Sequence, residues 1–432
     1  MTSKVSIDEL VALAKAAAAE AADHQERFAA EDLEARKIVD IMERFLRVKG
    51  RVVYGGAAIN AHLSPEHKFY DPSLYLPDYD FMTPDPLQDC ADLIVAFQDE
   101  GFEDVEAKFG IHEGTYKLFV NYRSAADITF MPPTIYERVI SDADMIDGIR
   151  YASVNFLRMN IYLELSRPAG MVSRWEKVYE RLLLLNEEHP PTAGRCTKEP
   201  LAALATATAT AVAETAIKKT DVVLHQKIVN AGISNNAIFL SGISQLVDVE
   251  PASTGIVLLL SDKVSELTQA LKRAGLKPTT YDAMGELLPA RTEFHTTKKQ
   301  LVAVVFEAVA CHNYINTSDG LRMGSLDLLI QMYYAMYFAD LQGYVPVRLL
   351  CIIQELIELE VESRRTAVTS GKKPEEVFPL ACIGHQPTMP ELKKAHRERV
   401  AEKREELTKV LRMQNSPRFS ATRKRRRSAK TE

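Results

Sequence analysis

Val52-Val53-Tyr54-Gly55-Gly56 and, further on, Leu76-Pro77-Asp78-Tyr79-Asp80-Phe81-Met82-Thr83 are the two stretches from which the architecture follows. A short β-branched, apolar run that breaks at Gly-Gly reads as a buried strand, a tight turn and the start of a helix. The polar/apolar alternation of Asp78-Tyr79-Asp80-Phe81 predicts a second strand. On a strand, residues two apart point to one face, so Asp78 and Asp80 project side by side, about 6 to 7 Å apart at their alpha carbons. A third acid, Asp127 in Ala126-Asp127-Ile128-Thr129, falls on a further predicted strand. Three converging carboxylates repel one another unless a hard divalent cation, Mg2+ or Mn2+, takes their oxygens as ligands.

An Asp-x-Asp pair alone is most often a solvated surface feature, and Gly-Gly alone is most often an empty turn. Together, and in this order, they point to phosphoryl chemistry. The glycines let a triphosphate approach the free N–H groups at a helix start. Two cations about 3.5 to 4 Å apart can activate an attacking hydroxyl and neutralise a leaving phosphate. In that scheme Asp78 and Asp80 bind both ions, and Asp127 binds the one at the attacking hydroxyl.

Arg174, Lys177 and Arg181 fall at helical i, i+3 and i+7 and form one basic stripe, either a grip on ATP or RNA phosphates or a solvated face. Asn155, Arg158 and Arg167 are further nucleotide-binding candidates. Lys117 could reach the nucleotide or pair with a catalytic aspartate, and the sequence leaves both open. His112 has no partner at metal-ligand or triad spacing.

Working outward, residues 6–49 predict one or two helices stopped by Gly50, with a helix to Gly101 and strands near 105–109, 116–122 and 126–130. Residues 153–188 read as helical, and a Pro-containing loop with the Ala/Thr-rich run Leu201–Thr215 marks a boundary near 190–200. The first pattern then recurs: strands at Ile238–Leu240, Ile256–Leu260 and Leu301–Val309, and a helix ending at Gly275. If Ser261 occupies the place of Thr83, Ile256 and Leu258 stand where Asp78 and Asp80 stand. Element order alone leaves a true duplication open. From 325 the sequence is mostly helical again, with a charged helix over 391–413 and a basic, polar segment beyond 416.

The expected organisation is therefore a helical region (1–50), a catalytic domain (51–195), a degenerate second copy with helices (196–415) and a disordered basic segment (416–432). The class is α+β with small mixed sheets. With 432 residues, 46% hydrophobic and 26% charged, the chain reads as a globular protein of several domains. A net charge of −6 argues against coating nucleic acid by bulk charge. Neither a membrane span nor a secretion signal is expected. The five scattered cysteines are expected to be reduced and structural.

These residues resemble the poly(A) polymerase catalytic subunits of poxviruses and other nucleocytoplasmic large DNA viruses. The resemblance runs through VYGGAAIN, LPDYDFMTPDP, EAKFGIHEGTYKLFVN and ADITFM, and most specifically through NFLRMNIYLELSRPAGMVSRWEKVYERLLLLN. It continues more weakly through FEAVACHNY, GSLDLLIQMYYAMYFAD and CIGHQPTMPEL, so it covers about residues 50–390. It implies a polymerase-beta-type nucleotidyltransferase domain followed by a degenerate copy, with ATP and a divalent metal as substrate and cofactor. The implied activity is template-independent polyadenylation of RNA 3′ ends. It further implies a homodimer, or a heterodimer with a cap-methyltransferase-like subunit, acting in the host cytoplasm (the viral factory) or the virion. The basic segment leaves nuclear entry open. Two competing readings are a catalytically silent RNA-binding or scaffold subunit and an Asp-x-Asp glycosyltransferase. The first gives no reason to keep three clustered acids; the second gives no role to Gly-Gly and the separate Asp127.

Overall fold

Asp32 starts a helix by accepting hydrogen bonds from the Glu34 and Ala35 N–H groups, and Gly50, at φ 61°, ends it in the left-handed conformation. Between them Ile38, Ile41, Met42, Phe45 and Leu46 recur at helical spacing and form the buried face. This helix, α2 (Leu33–Lys49), follows the Ala-rich α1 (Ile7–Glu31) and packs under the first of two sheets. The computed structural model describes residues 6–70, 77, 79–192, 219–241, 256–285, 287–318, 320–341 and 346–414. Asp78, Cys196, the Ala/Thr-rich run at 201–215 and the basic segment beyond 416 lie outside them.

The first unit runs β1 (Val52–Tyr54), α3 (Gly55–His62), β2 (Tyr79–Thr83), α4 (Pro86–Asp99), β3 (Val105–Phe109), β4 (Thr115–Val120), β5 (Arg123–Phe130), α5 (Pro133–Asp142), β6 (Asp144–Ile146), β7 (Ile149–Tyr151), α6 (Val154–Leu165) and α7 (Trp175–Glu188). The second runs α8 (Lys219–Ser234), β8 (Ile238–Phe239), β9 (Val257–Ser261), α9 (Val264–Arg273), β10 (Lys277–Tyr281), β11 (Arg291–His295), β12 (Leu301–Glu307), β13 (His312–Asn316), β14 (Arg322–Gly324), α10 (Leu326–Phe338), α11 (Pro346–Ser370), β15 (Cys382–Ile383) and α12 (Met389–Gln414).

The sheets are ordered β3-β4-β5-β2-β1-β7-β6 and β10-β11-β12-β9-β8-β14-β13-β15. Strand for strand, up to the added β15, these are one topology. The directions agree as well. β2 and β5 are parallel, as are β9 and β12, and so are β1 with β7 and β8 with β14. The remaining shared pairs are antiparallel.

The repeat extends to single hydrogen bonds. Thr83 accepts from Met131 N–H through its carbonyl and from Asp85 N–H through Oγ1; Ser261 does the same toward Ala308 and Lys263. Ser261 thus stands in the place of Thr83. Ser153 caps α6 through the Phe156 N–H, and Ser325 caps α10 through Leu328. Those two helices pack on each other, with Phe156 and Phe338 ring centroids 5.1 Å apart.

One expectation is corrected. Cys311 and Cys382, separated by 71 residues, are joined as a disulfide, while Cys90 is a buried free thiol. The pairing of β13 with β15, with Asn313 opposite Cys382, brings these distant cysteines together, and sequence spacing carries no trace of it. Among the described residues, no helix is long and apolar enough to cross a membrane.

Candidate active site

In-register neighbours on adjacent strands share a face, so the pairings Tyr54↔Asp80, Asp80↔Asp127, Asp127↔Lys117 and Lys117↔Lys108 define one row across the first sheet. Asp80 and Asp127 are direct partners on parallel strands, which places their alpha carbons about one strand spacing, roughly 4.8 Å, apart. Both are half-buried. Lys117 donates to both carboxylate oxygens of Asp127, at 2.5 and 2.8 Å, so the structure shows the aspartate-pairing alternative for this lysine. Lys108 turns away to Glu106 and lies over the Phe119 ring. Tyr54 reaches past Asp80 to Thr129, with 2.9 Å between hydroxyls.

The glycines are there for space. Gly55 has φ 72°, and a Cβ on it would stand 2.6 Å from Asp80 Oδ2. A side chain at this position would drive the carboxylate off the row. Gly56 lies under the Arg181 guanidinium: a Cβ there would come 3.1 Å from Nη1 and 3.5 Å from the Tyr70 ring. Asn60 of α3 holds Tyr70 by both its backbone N–H and its carbonyl. Tyr70 in turn accepts from Arg181 Nη2 at 2.9 Å, and the guanidinium stacks on Phe69 at 4.1 Å. Arg181 is buried, and no ion pair to a carboxylate is made by it among the described residues. The start of α3, where Tyr54 supplies no side-chain cap, therefore faces a desolvated cation.

The other basic candidates separate. Arg174 is exposed and pairs with Glu164 at 3.1 Å, and Lys177 is exposed, so of the stripe only Arg181 reaches the glycines. Arg158 is 2% exposed, and its guanidinium is occupied by Asn155, Asn186 and the carbonyls of Leu185 and His189. It ties α6 to α7. Asn155, in the first turn of α6, is half-buried at the sheet edge where β1 and β7 end and α3 begins. Arg167 is half-buried near Glu164 and His312, and His112 is exposed in the β3–β4 hairpin. Phe69 and Tyr70 gave no signal in the sequence, because their role depends on Asn60 folding the segment back.

The donor set suits a divalent cation: oxygen ligands on facing strands, space kept by Gly55, and a third acid two residues before Asp80 in the sequence. Among the described residues no group of three His, Cys, Asp or Glu is close enough to form a complete metal site, and Asp78 is not one of the described residues.

Residues 40–171 match the family model of the poly(A) polymerase catalytic subunit. A protein of Acanthamoeba polyphaga mimivirus, assigned as a candidate poly(A) polymerase catalytic subunit, is 33% identical over 161 residues, which is 36% of this chain and 27% of that one. Its counterpart from African swine fever virus is 23% identical over 164 residues, 37% of this chain and 34% of its own. The chain thus spans about a third or less of the length of these curated relatives. The crystal structure of the Megavirus polyadenylate synthase shares the fold, with a TM-score of 0.74 over 98% of this chain and 91% of that one, at 19% identity.

Proposed function

We propose that the chain transfers AMP from ATP to the 3′ end of RNA without a template. The observation that carries this is the in-register Asp80 and Asp127, set beside a glycine helix start that Arg181 overhangs. The match of residues 40–171 to the family model of the poly(A) polymerase catalytic subunit supports this reading.

Gly55 and Gly56 admit the triphosphate to the start of α3, where the helix N-terminus and Arg181 hold the β- and γ-phosphates that leave as pyrophosphate. The RNA 3′ oxygen attacks the α-phosphorus, its proton passes to Asp127, and the bond from the α-phosphorus to the bridging oxygen breaks. Asp78, Asp80 and Asp127 are the residues to hold Mg2+ or Mn2+, which when bound supplies Lewis-acid neutralisation at the α-phosphate and the attacking oxygen. Lys117 keeps Asp127 on the row. Arg174, just before α7, and Lys177, exposed in its first turn, meet the phosphates of the acceptor strand. Arg158 holds α6 and α7 together and presents Asn155. The assembly is a homodimer or a heterodimer with a cap-methyltransferase-like subunit, and the protein acts in the host cytoplasm (the viral factory) or the virion.

The test is a labelled short RNA incubated with pure protein, Mg2+ or Mn2+, and each ribonucleotide separately. A ladder with ATP supports the reading. Absence of extension under every condition overturns it.

A further inference from the structure

We propose that Tyr334, contributed by the repeat that lacks the acids, is a positioning residue for the incoming nucleotide: with Arg158 it locks the amide of Asn155 so that its N–H donors face an acceptor atom, a sugar hydroxyl or base ring nitrogen, of ATP. This rests on the ATP reading above.

Asn155 Oδ1 accepts two hydrogen bonds, from Tyr334 OH at 3.0 Å and Arg158 Nη1 at 3.0 Å. A carbonyl oxygen has two lone pairs, and both are now used. Turning the amide over would set its NH2 against the Arg158 guanidinium, which has no acceptor, so one orientation is enforced and the Tyr334 hydroxyl fills the second lone pair of Oδ1. No hydrogen bond is made by Asn155 Nδ2 to any described residue. Its position explains what the donors are for. β1 and β7 are parallel, and α3 and α6 begin where they end; Asp80 pairs with Tyr54 at that same edge. The start of α6, which carries the locked amide, therefore lies at the same end of the first sheet as the glycine start of α3 and Asp80.

Tyr334 is suited to the task. It is 1% exposed, and burial pushes its phenol up to about 12, so it remains a donor across the working pH range.

The pseudo-symmetric side shows the difference. Counting from the caps Ser153 and Ser325, Asn155 corresponds to Asp327 and Tyr334 to Tyr162. Tyr162 feels the charge of Asp327, but both Asp327 oxygens are taken by Arg364 Nη2, at 2.8 and 2.9 Å. That side is closed by an ion pair. The Asn155 side keeps open donors.

The experiment compares wild type, Tyr334→Phe, Asn155→Ala and the double variant, by equilibrium titration with ATP in the absence of RNA and by primer extension. Loss of the hydroxyl is expected to weaken ATP binding and raise KM about five- to tenfold, the effect of one hydrogen bond. The kcat at saturating ATP is expected to stay within about twofold. In the Asn155→Ala background Tyr334→Phe should add nothing, since the two act as one unit. Unchanged ATP affinity in Tyr334→Phe, with or without a lower Tm, would overturn the proposal, as would an equal effect in the Asn155→Ala background. A wild type that binds ATP but adds no AMP would instead overturn the function reading, while the titration still decides the role of Tyr334.

Discussion

The two repeats set the same row across the same topology with opposite chemistry. In the first it reads Lys117, Asp127, Asp80, Tyr54; in the second, Glu293, Val304, Leu258, Leu240. Leu258 and Val304 are each 1% exposed and belong to the core. Where the first repeat has Gly55, the second has Ser241, whose hydroxyl accepts the Leu258 N–H at 2.9 Å. The scaffold itself does not need the acids. Clustered carboxylates cost self-repulsion, and only a bound cation or a pairing cation such as Lys117 offsets it. The second repeat shows the relaxed form: apolar residues on the row and a serine tied to the strand.

Transplanting one feature between repeats sharpens this comparison. Gly55→Ser puts the second repeat's residue into the first. At φ 72° a side chain costs about 1 to 2 kcal/mol. Its Cβ also displaces the Asp80 carboxylate, and a misplacement of about 1 Å can cost about a hundredfold in rate. AMP transfer is expected to fall by at least about that factor, with a lowered denaturation midpoint. Near-normal turnover would break the link between this glycine and Asp80.

The buried acids of the second repeat give an effect of intermediate size. Glu360 and Asp327 flank Arg364, and burial holds both carboxyls above their usual range, Glu360 at about 7. The folded state then keeps a proton on Glu360 that the unfolded chain, titrating near 4.5, has lost. Its contribution to stability is therefore fully present below about 4.5 and falls as pH rises toward 7. The loss is on the order of 1 to 3 kcal/mol. Denaturant midpoints at pH 5 and pH 7.5 should differ less in Glu360→Gln than in wild type. An equal difference in both would remove Glu360 from the account.

The smallest change is Ser241→Gly. It deletes the bond to Leu258 N–H and is expected to cost about 1 kcal/mol of stability with turnover unaltered. A loss of AMP transfer would mean the second repeat takes part in the chemistry at this point.

Much of this comparison was legible in the residues. The β-branched runs, Gly50 and the Gly55-Gly56 turn declared their elements, and a conditional match of Ser261 to Thr83 put Leu258 in the place of Asp80, although element order alone left a true duplication open. What stayed hidden depends on distant pairing. β10 is an edge strand of mostly exposed residues containing Pro278, so it has no apolar alternation to announce it. β6, β7, β14 and β15 are short, and most of them exist only because a neighbour pairs with them. In the site, helical spacing placed Arg174, Lys177 and Arg181 on one face, but only the packing of α7 shows that Arg181 alone meets the glycines. Arg158 read as a nucleotide-binding candidate because a buried arginine that satisfies carbonyls has the same letter as an exposed one.

The most direct test of the central claim is transfer of α-labelled AMP from ATP to a short RNA by wild type and by Asp80→Leu/Asp127→Val, which rewrites the first repeat's row as the second's. A ladder from wild type is predicted, with loss of at least about a thousandfold in the variant, the equivalent of several kcal/mol of charge stabilisation, and a folded state at least as stable. A ladder that persists in a folded variant would contradict the account, because the acids would then not be the centre of the reaction.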